Sequence, residues 1–198
     1  MEDILSDASK FSLSSNDDSF QNLTKFQRFL YRLQKKNSFS EEDYHLMYPT
    51  SASTPSLYGL PKTQKPGNPM RPIISAVGSF NHEAAKWFSN VLAPLRHHLT
   101  IVRDTFSFVK EIIQNSDLRG CVMASFDVKS LFTNIPLKFT TNLIVKSLFH
   151  DGCTQFQGIS QTQMKKLLKW ICQSTTLQFN GKFYKQIDGV AMGSSMPT

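Results

Sequence analysis

The sequence predicts an α+β fold, on three observations. Apolar residues recur at a helical period in five stretches, around 20–36, 81–95, 105–115, 138–150 and 160–172. Two stretches read as β-hairpins, 58–75 and 175–187, the second with Asn180-Gly181 at its turn. Cys121-Val-Met-Ala-Ser-Phe126 has the length and apolar content of a buried strand and runs out at Asp127. Ligands and metals collect beyond the carboxyl ends of strands in open α/β sheets, which makes Asp127 a candidate site residue. The competing reading is that Asp127 only caps the turn that follows.

Composition narrows the classes. The 198 residues suffice for one core, or for one core and a small lobe. A hydrophobic content of 40% with 16 Phe fits a globular chain, and no apolar run approaches membrane-spanning length. The acidic, polar start, Met1-Glu-Asp-Ile-Leu-Ser-Asp, is wrong for a secretory signal or a transit peptide. Cys121, Cys153 and Cys172 are widely spaced, and His45, His82, His97, His98 and His150 show no metal-ligand spacing. A disulfide framework and a zinc site are therefore not expected, and a reducing, intracellular compartment is the default. Lys+Arg 22 against Asp+Glu 15 gives a net charge of +7, which favours a polyanionic partner such as nucleic acid, although many soluble domains carry this charge.

In chain order, residues 1–18 are rich in Ser, Asp and Asn and read as a disordered polar tail. Phe20, Leu23, Phe26, Leu30 and Leu33 make the apolar stripe of a helix with Arg28, Arg32, Lys35 and Lys36 between them. Ser40 caps a second short helix that stops at Tyr48-Pro49, closing an N-terminal helical region over 19–48. After a linker over 49–57, Tyr58-Gly-Leu-Pro-Lys62-Thr-Gln-Lys65-Pro-Gly-Asn-Pro-Met-Arg71-Pro-Ile-Ile holds too much Pro and Gly for a helix. It predicts a rigid hairpin presenting Lys62, Lys65 and Arg71, a device suited to phosphates, or else a solvated loop with incidental charge.

Asn81 opens a helix with Ala84, Ala85, Phe88, Val91, Leu92 and Leu95 on one side, and Thr105 opens another with Phe106, Val109, Ile112 and Ile113 buried. After Pro136, a helix carries Leu143, Ile144, Ser147 and Leu148 on one face. Ser160-Gln-Thr-Gln163 is a capping box for a helix whose apolar face is Met164, Leu167, Leu168 and Ile171, with Lys165, Lys166 and Lys169 opposite. The Asn180-Gly181 hairpin leads to Gln186-Ile-Asp-Gly189-Val-Ala-Met-Gly193-Ser194, where small residues would let a base or sugar approach closely.

Taken in this order and spacing, over about residues 40 to 198, the chain resembles the reverse transcriptases of Penelope-like retroelements. Tyr-Gly-Leu-Pro-Lys62-Thr-Gln-Lys-Pro-Gly with Arg71-Pro-Ile is similar to the fingers motifs. Ser125-Phe-Asp127-Val-Lys-Ser-Leu-Phe132-Thr-Asn-Ile-Pro is similar to the first catalytic palm motif, and Asn180-Gly-Lys-Phe-Tyr-Lys-Gln186 with Gly189-Val-Ala-Met-Gly193-Ser194 to the template- and substrate-binding one. The resemblance implies a right-hand polymerase, with fingers over 49–120 and a partial ferredoxin-like palm over 121–198. It implies an RNA-directed DNA polymerase that works on an RNA template, a DNA primer and deoxynucleoside triphosphates with Mg²⁺ or Mn²⁺. Asp127, with the Val128 carbonyl, would hold metal. Lys62 and Arg71 would grip the triphosphate, Phe132 would exclude a ribose 2′-OH, and Gln186, Gly189, Gly193 and Ser194 would lie along the nascent base pair.

The family also has an aromatic-x-Asp-Asp motif after the Gly-Ser segment, and the chain ends at Thr198 before one. The expectation is therefore a fragment that is inactive alone. A non-catalytic nucleic-acid-binding protein derived from such an element is the second expectation, and a poorly folded remnant the third. No run of basic residues marks a nuclear address.

Overall fold

A computed structural model describes residues 1–93, 102, 104–115, 120–128, 131–150, 152–173 and 176–190. The fold is mixed α+β. A five-stranded sheet has the order β1 (Phe11–Ser14), β7 (Lys182–Gln186), β6 (Thr176–Phe179), β2 (Ser56–Pro61), β3 (Met70–Ser75). Neighbours are antiparallel except β2 and β6, which run parallel and meet at Ser56 and Gln178. The sheet thus joins two local hairpins and closes on β1, the strand nearest the N-terminus.

Both hairpins follow from their turns. Asn180 and Gly181 have φ of 47° and 73°, the left-handed pair of a two-residue turn whose twist matches the strands it joins. The β2–β3 loop folds on itself through Lys65 N–H to Lys62 O and Asn68 N–H to Lys65 O, and Lys62 N–H closes it on Pro69 O at 3.0 Å.

The larger core lies among helices. α2 (Ser19–Gln34) buries Leu23, Phe26, Leu30 and Leu33, while Phe20, placed on the same stripe by its spacing, is exposed. α3 (Glu41–Met47) starts where Ser40 Oγ accepts the Asp43 N–H. α4 (His82–Leu92) buries Ala84, Ala85, Trp87, Phe88, Val91 and Leu92. The capping box of α8 (Gln161–Gln173) forms in both directions. Ser160 N–H donates to Gln163 Oε1 at 2.8 Å and Gln163 N–H to Ser160 Oγ at 3.4 Å, and Met164, Leu167, Leu168 and Ile171 are buried behind it. α7 (Leu137–Leu148) adds Val145 and Leu148 to this core, but Leu143 is exposed.

Three expectations are overturned. Residues 1–18 are not a disordered tail: they form α1 (Glu2–Leu5) and β1, and Leu5 and Phe11 join Leu57, Ile74 and Leu177 in a second core on one face of the sheet. Hydrogen bonding to β7 supplies the order that a polar composition argues against. Cys121–Phe126 is not a strand. No ladder forms along it, and Val122 and Phe126 are each 95% exposed, because a strand sequence becomes a strand only beside a neighbour that pairs with it. α5 (Thr105–Gln114) begins as expected, capped by Asp104, which accepts the Ser107 N–H, but it buries none of its apolar side chains, and Phe106 is 88% exposed.

Candidate nucleotide site

The buried face of the sheet carries Phe11 on β1, Gln186 on β7 and Ile74 on β3. Phe11 and Gln186 are direct cross-strand partners, and Ile74 pairs with Leu57. Asp127 and Val128 line the same cavity as Phe11, Gln186 and Ile74, as do Leu131 and Phe132 in the single turn of α6 (Leu131–Asn134). The Phe132 carbonyl accepts the Val190 N–H at 2.7 Å, which ties α6 to the chain leaving β7. The cavity has a volume of about 370 Å³.

Six of the residues that the sequence singles out line this cavity: Lys62, Arg71, Asp127, Val128, Phe132 and Gln186. They come from three stretches that are far apart in the chain. The hairpin places Lys62 where β2 ends and Arg71 opposite Leu60 on β3, an edge strand of the sheet. Gly189 is not in the lining. It is buried in the turn after β7, with φ of 76°, a backbone state that favours glycine. Gly193 and Ser194 lie outside the described residues.

The remaining lining comprises Ile4, Phe11, Met70, Pro72, Ile74, Leu131 and Val190. Ile4 and Phe11 come from the stretch read as a tail. The one signal for Phe11 was the alternation Phe11-Ser-Leu13-Ser, the period of a half-buried strand; Ile4, in α1, had none. At Gly59 on β2, a Cβ would sit 3.1 Å from Met1 Sδ, so the N-terminus also packs against this hairpin.

Electrostatically the cavity pairs two cations, Lys62 and Arg71, with one carboxylate, Asp127, among its described lining residues. Apolar walls and a few convergent polar groups are the usual make-up of a small-molecule site. An ammonium and a guanidinium recognise phosphate as a point charge and as a fork. No group of three or more His, Cys, Asp and Glu gathers among the described residues. The donor set at Asp127 still suits Mg²⁺, which is commonly held by one or two carboxylates together with substrate phosphates and water.

The turn behind Gln186 is braced. Burial pushes the Asp188 carboxyl up, but hydrogen bonds from Gly189 N–H, Lys10 and Leu137 N–H outweigh it and leave the group below the ordinary carboxylate value. Gln186 Nε2 donates to the Asp188 carbonyl at 3.1 Å. Away from the cavity, burial pushes the Cys172 thiol up to about 12, which leaves it unreactive at neutral pH. No helix among the described residues is long and apolar enough to cross a membrane. Comparisons with known protein families, with curated proteins and with solved structures find no match.

Proposed function

We propose that the cavity is the nucleotide site of a reverse transcriptase-type polymerase, an RNA-directed DNA polymerase of retroelement origin. One observation carries the reading: the two cations of the hairpin, Asp127 with Val128, Phe132 and Gln186 were singled out on motif grounds, and they line a single cavity. The cavity's size, about 370 Å³, is in the range of small-molecule sites. Lys62 and Arg71 bind the triphosphate of a deoxynucleotide, Phe132 stands against the sugar, and Gln186 borders the base pair. Asp127 and the Val128 carbonyl would hold Mg²⁺ or Mn²⁺, which neutralises charge on the attacking and leaving oxygens of phosphoryl transfer. Template and primer are RNA and DNA.

The lone carboxylate among the described lining residues favours a second reading, in which the same cavity binds nucleotide or nucleic acid without turnover. Primer extension on an RNA template with Mg²⁺ or Mn²⁺, beside Asp127→Ala, separates the two. Incorporation that disappears in Asp127→Ala supports the polymerase. A cooperatively melting protein that binds deoxynucleoside triphosphate and incorporates nothing supports the binding protein. Failure to bind either deoxynucleoside triphosphate or primer–template sinks both.

A further inference from the structure

Helix α2 carries a charge pattern that neither the core nor the cavity uses. Lys25, Arg28 and Arg32 on α2, Lys35 at its C-cap and Lys36 just beyond it are spaced three, four, three and one apart, and all five are exposed. At about 100° per residue, Lys25, Arg28 and Arg32 fall in an arc of about 60°, roughly opposite the buried Phe26, Leu30 and Leu33. Residues 19–40 contain no Asp or Glu. No ion pair joins any of the five to an acid among the described residues. Lys35 Nζ instead sits 5.5 Å from the centre of the Tyr31 ring.

A merely solvated helix face mixes signs, because opposite charges three or four residues apart stabilise a helix and like charges destabilise it. Here Lys25–Arg28 and Arg28–Arg32 are like pairs at spacings of three and four within α2. The helix dipole favours the cations at the C-terminal end, but Lys25 lies beyond the reach of either terminus. A polyanion laid along the stripe would relieve this repulsion.

We infer that the exposed face of α2 is a docking track for the phosphate backbone of nucleic acid, bound without regard to sequence. From Lys25 to the C-cap Lys35 the track rises about 15 Å. A duplex presents one charge per ~1.7 Å of its axis, so a length of that order offers phosphates enough for all five cations. The apolar side of α2 is spent on the core, which leaves the helix without the wide apolar face that a membrane-surface helix inserts. The choice of partner rests on the proposed reading of the cavity; the charge argument does not.

The test uses the whole chain and a labelled DNA primer annealed to an RNA template, with affinity measured from about 50 to 200 mM KCl. The comparison is the triple variant Lys25→Gln, Arg28→Gln, Arg32→Gln, at exposed positions where Gln keeps helix propensity. The variant is expected to bind at least about tenfold more weakly at the lower salt, and its salt slope to fall by about 2 to 3. The charge-keeping variant Lys25→Arg, Arg28→Lys, Arg32→Lys is expected to bind as the parent does. Unchanged affinity and slope in the Gln variant would overturn the docking track, as would stronger binding of the parent to phosphatidylserine vesicles than to primer–template. Deoxynucleoside triphosphate binding, measured in the same Gln variant, is expected to be unchanged. Its absence in the parent would sink the reading of the cavity and leave the track standing.

Discussion

Lys10 Nζ lies 3.1 Å from Asp188 Oδ2, which joins positions 178 residues apart. The backbone is tied at the same place, since Ile187 N–H donates to the Lys10 carbonyl at 2.8 Å. Asp188 also accepts from the N–H of Leu137, the first residue of α7, where the preceding Pro136 offers no side-chain cap. One carboxylate therefore holds β1, the turn after β7 and the start of α7 together. Gln186, in the cavity wall, leans on the carbonyl of that same residue.

The ion pair sets a pH dependence. Asp188 has its carboxyl lowered in the fold, so its contribution is present above the unfolded carboxylate value of about 3.9 and is lost as pH falls through the lower folded value. The Asp188 side chain is 41% exposed, so solvent screens the pair and the expected loss is modest. Asp188→Asn is expected to lower the melting temperature at pH 7 and to flatten its fall between pH 5 and pH 2. Parallel melts at the two ends check this. Equal acid sensitivity in parent and variant would mean that other carboxylates, such as Asp17, whose carboxyl is also lowered, govern acid unfolding.

Asn81 does a different job from the one its position suggests. It precedes α4, but its side chain makes no cap there. Instead Nδ2 donates to the carbonyls of Trp170 and Ile171 at 3.2 and 2.9 Å, near the end of α8, and Oδ1 accepts from Ser79 Oγ. Those carbonyls belong to the last turn of α8 as described, Gln161–Gln173. Asn81→Ala removes a buried amide and the hydrogen bonds it gives to them, for an expected loss of about 1–3 kcal/mol. Asn81→Asp keeps the acceptor for Ser79 and turns a donor into an acceptor, and is expected to cost at least as much. Urea unfolding of both variants measures it; a loss in Asn81→Ala below a few tenths would show that water replaces the amide.

Local rules and long-range partners divide what could be read from the sequence. Ser160 with Gln163, Asn180 with Gly181, and Ser40 act within four residues, and all three form as their chemistry dictates. Phe11 could not be placed the same way. Its strand is four residues long and exists because β7 pairs with it from the far end of the chain. Cys121–Phe126 fails for the converse reason: good strand formers stay outside a ladder when no edge pairs with them. α5 shows the limit of periodicity, since a correct helix with a correct stripe still needs something to cover it. At the cavity, Asp127 at the end of an apolar run and Lys62 and Arg71 in a Pro/Gly-rich hairpin stood out as candidates, while the role of Phe132 rested on the family resemblance. Ile4 and Val190 are ordinary apolar residues, and only the packing places them.

Gly158 is fixed by a backbone contact. Its φ is 77°, and a Cβ there would lie 2.6 Å from the Ser38 carbonyl oxygen. The β4–β5 turn, between Gln155–Phe156 and Ile159–Ser160, thus packs directly on the loop after α2. Backbone oxygen cannot rotate away as a flexible side chain would. Gly158→Ala is expected to destabilise by about 1–3 kcal/mol from the left-handed conformation, with the steric contact adding to it. Gly152→Ala is the control, with φ again 77° but open space around the Cβ, so the difference between the two melts isolates the contact. Equal losses would show that the Ser38 loop moves aside.

The cavity makes the sharpest prediction, because Lys62 and Arg71 should read phosphate number. If they grip a triphosphate, Arg71→Gln weakens a deoxynucleoside triphosphate by about tenfold or more and the matching monophosphate much less. Arg71→Lys keeps the charge and loses the fork, so it falls between the parent and Arg71→Gln. Lys65 shares the hairpin loop with Lys62 but does not line the cavity, and Lys65→Gln is expected to bind nucleotide as the parent does. Calorimetry with the triphosphate and monophosphate in Mg²⁺ gives all the comparisons. Equal weakening of the two ligands by Arg71→Gln would place Arg71 against the sugar or base instead of the phosphates. Equal weakening by Lys65→Gln and Lys62→Gln would reduce the hairpin's role to general positive charge, leaving Asp127, Phe132 and Gln186 without a phosphate clamp.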